Sequence, residues 1–186
     1  MTAILFAPHN DDESLFAFYQ LMLHRPKVVV CFRSDLQERR GTGITAVVRE
    51  EETDRAMNVA GCDWEQWPIL DSDPERAARL SGWMSIEASD PCPRLVIAPL
   101  AEENGHEDHN IVANAVTVAF QHQAHIIRYA TYQRGCGRTV TDLEMPCFGE
   151  WWSLKDRAMA CYESQISEPS TAPWFTDLQA HREWLA

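Results

Sequence analysis

The sequence predicts an α/β chain, with a mostly parallel sheet and helices packed on both of its faces. Two observations predict it. Short apolar runs recur at 3–7, 27–33, 67–70, 94–100 and 125–132, each of strand length and rich in β-branched or aromatic residues. Between them lie longer stretches whose apolar residues fall three or four apart, the spacing of one helix face. Strictly alternating strands and helices make parallel pairs joined by right-handed crossovers.

Taken in order, Ile4-Leu5-Phe6-Ala7 is a continuous apolar run, as expected of a strand covered on both faces. Leu15, Phe18, Tyr19, Met22 and Leu23 then follow at helical spacing, before the strand 27–33. Val48, Glu52, Ala56, Val59 and Ala60 mark a second helix, which Gly61 closes because glycine accepts the left-handed conformation at a helix end. After the strand 67–70, Asp73-Pro74 opens another helix. The strand 94–100 leads to a helix marked by Ile111, Val112, Ala115, Val118 and Ala119, and the strand 125–132 follows it. Residues 135–149 contain Gly135, Gly137, Pro146 and Gly149 and read as a loop or short hairpin. A helix over 152–165 and a short terminal helix ending near Trp184 complete the chain.

The 186 residues fit one domain, 1–186, and a 45% hydrophobic content is enough for a core. A formal net charge of −12 argues against a nucleic-acid backbone or an anionic membrane as the main partner. No apolar stretch reaches the length of a membrane span, and no basic-then-apolar leader precedes the first strand. Six cysteines are scattered without a CxxC pair, which suits free thiols in a reducing cytoplasm. A cytoplasmic, soluble domain is expected. Its oligomeric state is open, a homo-oligomer included.

The chemistry is concentrated where two strands end. Ala7-Pro8 runs into His9-Asn10-Asp11-Asp12-Glu13, and the run 95–100 is followed by Glu102, Glu103 and then His106-Glu107-Asp108-His109. Strand-to-helix turns are where open α/β sheets bind ligands. A catalytic zinc takes three protein ligands and leaves one position open, and His9, Asp12 and His109 meet that need. Asp11 is then free to take a proton from water, and His106 can stabilise an oxyanion and protonate a leaving amine. Singly, each block has a plainer reading: acids cap helices, and histidines at a helix start are solvated. Together, each after an apolar strand, they point to a metal site for amide hydrolysis. The seven tryptophans read as packing residues, with Trp151 and Trp152 placed beside a potential substrate-covering loop.

These blocks resemble the N-acetylglucosaminylphosphatidylinositol deacetylase (PIG-L, or LmbE-like) family. Five markers carry the resemblance: Ala7 to Glu13; Arg49, Glu52 and Ala56 ahead of Gly61; Asp71; His106 to His109; and a late helix with Lys155, Ala158, Tyr162, Ser164 and Gln165. The resemblance implies a Rossmann-like three-layer sandwich and a zinc-dependent N-deacetylase acting on an N-acetylglucosamine-type sugar or its conjugate. It implies His9, Asp12 and His109 as zinc ligands, Asp11 as general base, His106 as oxyanion stabiliser or acid, and Arg49 and Asp71 as substrate contacts. Iron(II) suits the same donors. Asn10 and Glu107 stand where the family has prolines. The other readings are an amidohydrolase of a non-sugar amide and a catalytically silent sugar-binding member. A plain nucleotide-binding domain lacks its GxGxxG turn here.

Overall fold

The computed structural model describes residues 3–89, 92–131, 143–144, 149–176 and 183–185. Its sheet is built from β1 (Ala3–Ala7), β2 (Lys27–Val30), β3 (Trp64–Gln66), β4 (Leu95–Pro99), β5 (His125–Tyr129), β6 (Leu143–Glu144) and β7 (Trp184–Leu185). The strand order is β3-β2-β1-β4-β5-β7-β6. Strands β1 to β5 are mutually parallel, whereas β7 pairs antiparallel with both β5 and β6. Nine helices are described: α1 (Asp12–Phe16), α2 (Phe18–His24), α3 (Leu36–Arg39), α4 (Ala46–Ala60), α5 (Arg76–Glu87), α6 (Glu107–Phe120), α7 (Gly149–Met159), α8 (Glu163–Ser167) and α9 (Ala172–Thr176).

The two-residue periodicity of the strands divides the core in two. Leu5, Ala7, Val28, Val30 and Ile97 face α1, α2, α4 and α7 through Leu15, Leu21, Met57 and Met159. Ile4, Phe6, Val29, Val96 and Ala98 face α5 and α6 through Leu80, Met84, Val112 and Val116. The three-layer α/β sandwich expected from the sequence is therefore the fold. On α6 the buried stripe is Val112, Val116 and Phe120, and Val118 points outward at 79% exposure.

Several elements differ from expectation, each for a local reason. The β3 ladder lies at 64–66, where Trp64, Glu65 and Gln66 pair with Val28, Val29 and Val30. Pro68 has no N–H for a ladder, and pairing resumes only at the single bridge between Arg33 and Leu70. Trp184 stands in a strand and not in a terminal helix, because its carbonyl accepts from Ala130 N and its backbone pairs with Glu144. The expected helix over 152–165 is two helices, α7 and α8, separated at Tyr162. Most of the segment expected as a loop at 135–149, and residue 132 of the fifth strand, lie outside the described residues.

The first helix is broken at Ala17, and the break has a physical cause. An unbroken helix would bond Tyr19 N to Leu15 O. Instead Leu15 O accepts from Lys155 Nζ at 2.8 Å, and Tyr19 N donates to the Glu183 carboxylate at 2.9 Å. Lys155 and Glu183 complete the circuit with a 2.6 Å ion pair that is shut from solvent. A buried ion pair thus occupies an opened helical turn and satisfies both of its halves.

Beside β2, Asp71 Oδ1 accepts from the backbone amides of Asp35 and Leu36 at 3.1 and 3.2 Å, capping α3 from a distance. Burial pushes the Asp71 carboxyl up to about 6, and hydrogen bonding with Asp35 adds to the rise.

Removing one partner of a buried ion pair leaves an uncompensated charge. Glu183→Leu is therefore expected to cost about 3–5 kcal/mol in urea unfolding, and adding Lys155→Met should recover part of that loss. A single variant as stable as wild type would show that the pair does not hold the break. Because Asp71 binds its proton more tightly folded than unfolded, its stabilising contribution is complete below about pH 4 and is lost as pH rises through 6. Asp71→Asn keeps an acceptor oxygen for α3 and removes the titration. Its Tm relative to wild type should therefore rise between pH 4 and 7, and a flat difference across that window would refute the assignment.

Candidate metal centre and active site

Strand order reverses direction between β1 and β4: the chain moves from β1 outward to β2 and β3, then from β4 outward to β5 and the β7–β6 pair. The C-terminal ends of β1 and β4 consequently open onto one crevice, the switch point at which such sheets bind ligands. Both sequence blocks emerge there. Glu102, in the loop after β4, is buried. It accepts from Thr131 N and Oγ1, both at 3.2 Å. Glu102 and Asn110 exchange two further bonds, so the loop is fastened to α6.

Asp12 is the first residue of α1, and His109 lies in the first turn of α6. One oxygen, Asp12 Oδ2, accepts from His9 N at 2.8 Å, and lies 3.4 Å from His9 Nδ1 and 3.2 Å from His109 Nε2. His9 Nε2 meets Asp108 Oδ2 at 3.0 Å. Nitrogens of His9, His106 and His109 all lie within 4.8 Å of one another. The structure thus brings His9, Asp12, His106 and His109 together from two loops nearly a hundred residues apart.

The electrostatics follow from burial. Asp11, Asp12 and Glu13 are each no more than 9% exposed. Burial would raise Asp12, but His109 and His9 outweigh it and hold the carboxyl far below the usual range. Burial would lower His9, and the carboxylates of Asp108 and Asp12 override that, raising the imidazole to about 10. Burial pushes Asp11 up to about 7, against the opposing pull of Arg49. Burial and the neighbouring His9 and His109 lower His106. Its Nδ1 accepts from Asp108 N at 3.2 Å, so the neutral ring carries its proton on Nε2.

This donor set fits a divalent cation. Two imidazoles and a carboxylate are ligands for zinc or iron, and carboxylates outnumber permanent cations around them. The spacings of 3.2 and 3.4 Å between Asp12 Oδ2 and the two ring nitrogens match the edge of a tetrahedron with zinc-type bonds, about 3.3 Å. His106 can complete a three-histidine set in place of Asp12, although its Nδ1 is engaged by Asp108 N.

Arg49 and Asp71 both have protein partners. Arg49 is 3% exposed; its Nη2 donates to Asp11 Oδ2 at 3.0 Å and to the Asn10 carbonyl, and its guanidinium lies 5.8 Å over the Tyr162 ring. Asp71 caps α3, as described. Trp151 stacks on Tyr19 at 6.4 Å, a packing role, while Trp152 is partly exposed.

Two further members of the site, Asp108 in its orienting role and Arg76, were not singled out in the sequence, and the bonding of the markers Glu13, Glu52, Tyr162 and Ser164 was not assigned there. Asp108 orients His9, and Arg76 Nε holds its other oxygen at 2.6 Å. A carboxylate between two candidate ligands is a readable signal for an orienting group; Arg76, a helix away on α5, gives none. Glu13 accepts from Tyr162 Oη, and Glu52 accepts from Ser164 N and Oγ at 2.6 and 2.7 Å. A groove of about 550 Å³ between α5 and α6 lies apart from these groups, and its lining has no titratable side chain.

Similar proteins agree with this architecture. No protein of curated function matches the sequence. Among solved structures, a deacetylase triple mutant of the teicoplanin biosynthetic pathway superposes with a TM-score of 0.79 at 16% identity, covering 100% of this chain and 97% of that one. The N,N'-diacetylchitobiose deacetylase of Pyrococcus horikoshii gives 0.63 at 15%, covering 93% and 73%. The 4-carboxy-2-hydroxymuconate hydratase of Pseudomonas putida KT2440 gives 0.59 at 15%, covering 95% and 83%. Identities this low show a shared fold, and the hydratase shows that the fold alone does not choose the reaction. The family model described as PIG-L, GlcNAc-PI de-N-acetylase, matches residues 4–120, which contain both loops and every proposed ligand. The chain belongs to the PIG-L, or GlcNAc-PI de-N-acetylase, family.

Proposed function

We propose that this protein is a metal-dependent N-deacetylase that hydrolyses the acetamide of an N-acetylglucosamine-type sugar or conjugate. The observation that carries the reading is the convergence of His9, Asp12 and His109 with Asp11 next in the chain and Arg49 upon it. In this reading His9, Asp12 and His109 hold zinc, or iron(II) where that is the available metal. A cation bound there supplies Lewis acidity, acidifying water and polarising the acetamide carbonyl.

The chain's residues do the rest. Asp11 takes the proton of the attacking water, and its burial keeps the carboxyl basic enough to do so. Arg49 positions Asp11 by holding one carboxylate oxygen. His106 Nε2–H donates to the oxygen that gains charge as water adds to the carbonyl carbon, with its ring fixed by Asp108 N. The C–N bond then breaks, the proton passes to the leaving nitrogen, and acetate and a free amine result. Arg49 and Asp71 are the proposed substrate-side residues. Each also has a protein partner, Arg49 in Asp11 and Asp71 in the start of α3. The amino sugar is favoured by the family and by the chitobiose deacetylase; a panel of sugar and non-sugar acetamides separates it from a general amidohydrolase. Among the described residues no helix is long and apolar enough to cross a membrane, and Cys31, Cys62, Cys92 and Cys161 are free thiols, consistent with a cytoplasmic enzyme.

Asp11→Asn is expected to lower kcat on N-acetylglucosamine conjugates about a hundredfold or more while metal content stays at the wild-type level. An undiminished rate would remove Asp11 as the base. Elemental analysis of His109→Ala should show metal lost, and of His106→Ala metal kept with kcat reduced. The reverse pattern would make His106 the ligand.

A further inference from the structure

The backbone of Asp11 is unusual. At φ 116° and ψ −29° it lies where side chains other than glycine rarely go, and such strain persists only when surroundings enforce it. Three sets of bonds enforce it here. Asp11 O accepts from Ser14 N at 3.0 Å and Leu15 N at 2.9 Å, which starts α1. Arg49 holds the carbonyl of Asn10 and the Asp11 side chain. On the other side Asp11 N, buried within the turn, donates to Glu13 Oε2 at 3.1 Å.

Glu13 is wholly buried. Its second oxygen, Oε1, accepts from Ser14 Oγ at 2.9 Å and from the hydroxyl of Tyr162. Tyr162 is also wholly buried and stands at the junction of α7 and α8, 149 residues further along the chain. Tyr162 is thus a fixed post from the C-terminal part of the chain, to which the Glu13 carboxylate is tied.

We propose that Glu13, anchored by Tyr162, is a positioning residue: it holds the Asp11 backbone in the left-handed turn and so aims the Asp11 carboxylate at the water. This rests on Asp11 being the general base. Without an acceptor, the buried Asp11 N–H would lose its partner, and the turn would relax toward ordinary helical angles. A carboxylate displaced by about 1 Å can lower the rate by about a hundredfold.

The test uses full-length, metal-loaded protein, with kcat referred to the folded fraction from thermal melts. Glu13→Leu should lower kcat about tenfold to a hundredfold, with KM and metal per chain unchanged. Glu13→Gln should restore kcat to within about threefold of wild type, because its amide oxygen can accept from Asp11 N and its amide nitrogen can donate to Tyr162 Oη. Tyr162→Phe should lower kcat by a smaller factor, and serves where Glu13→Leu fails to fold. In an Asp11→Asn background none of these substitutions should reduce the residual rate further, since their effect passes through Asp11. A wild-type kcat in Glu13→Leu, a loss of equal size in both backgrounds, or loss of metal would overturn the proposal. Asp11→Asn measured alone at full rate would instead overturn the deacetylase mechanism, so the two failures are distinguishable.

Discussion

Three consecutive carboxylates, Asp11, Asp12 and Glu13, are buried together where β1 ends, and much of the surrounding structure serves to make that tolerable. Charges taken out of water must be paired and hydrogen-bonded. Each of the three is met by a different part of the chain. Arg49, from α4, takes Asp11; His9 and His109, one from each loop, take Asp12; Ser14 and Tyr162 take Glu13. The same arrangement that satisfies the acids presents Asp12 between two imidazoles, a donor set suited to a divalent cation.

The late helices, remote in sequence, are part of this solution. Tyr162 reaches Glu13, Ser164 reaches Glu52 beside Arg49, and Lys155 enters the opened turn between α1 and α2 with Glu183. The spacing of Lys155, Tyr162 and Ser164 therefore encodes three attachments to the layer behind the crevice. The first helix is thereby shaped by the last quarter of the chain.

The two departures from the family's prolines have visible compensations. Asn10 Nδ2 donates to Thr53 Oγ1 at 2.9 Å and to Gln66 Oε1 at 3.0 Å, so hydrogen bonds fix a turn that a proline ring would stiffen. Glu107 pairs with Arg76 at 2.7 Å, and the same arginine grips Asp108. A substituted surface position is in this way joined to the group that orients His9.

Much was legible in the sequence alone. Short apolar runs alternating with helical spacing determine the layered α/β fold, because periods of 2 and 3.6 residues are imposed by backbone geometry. The histidines and acids after β1 and β4 mark the candidate site for the same local reason: ligands there meet a crevice at the strand ends. What the tertiary structure decided is which partner each charge takes. Arg49 faces Asp11, Asp71 caps α3, Arg76 holds Asp108, and Trp184 joins a strand. None of these can be read from spacing, because each depends on how elements far apart in sequence pack against one another. The break at Ala17 is the clearest case: local periodicity runs straight through it, and only an ion pair brought in from residues 155 and 183 makes the open turn stable.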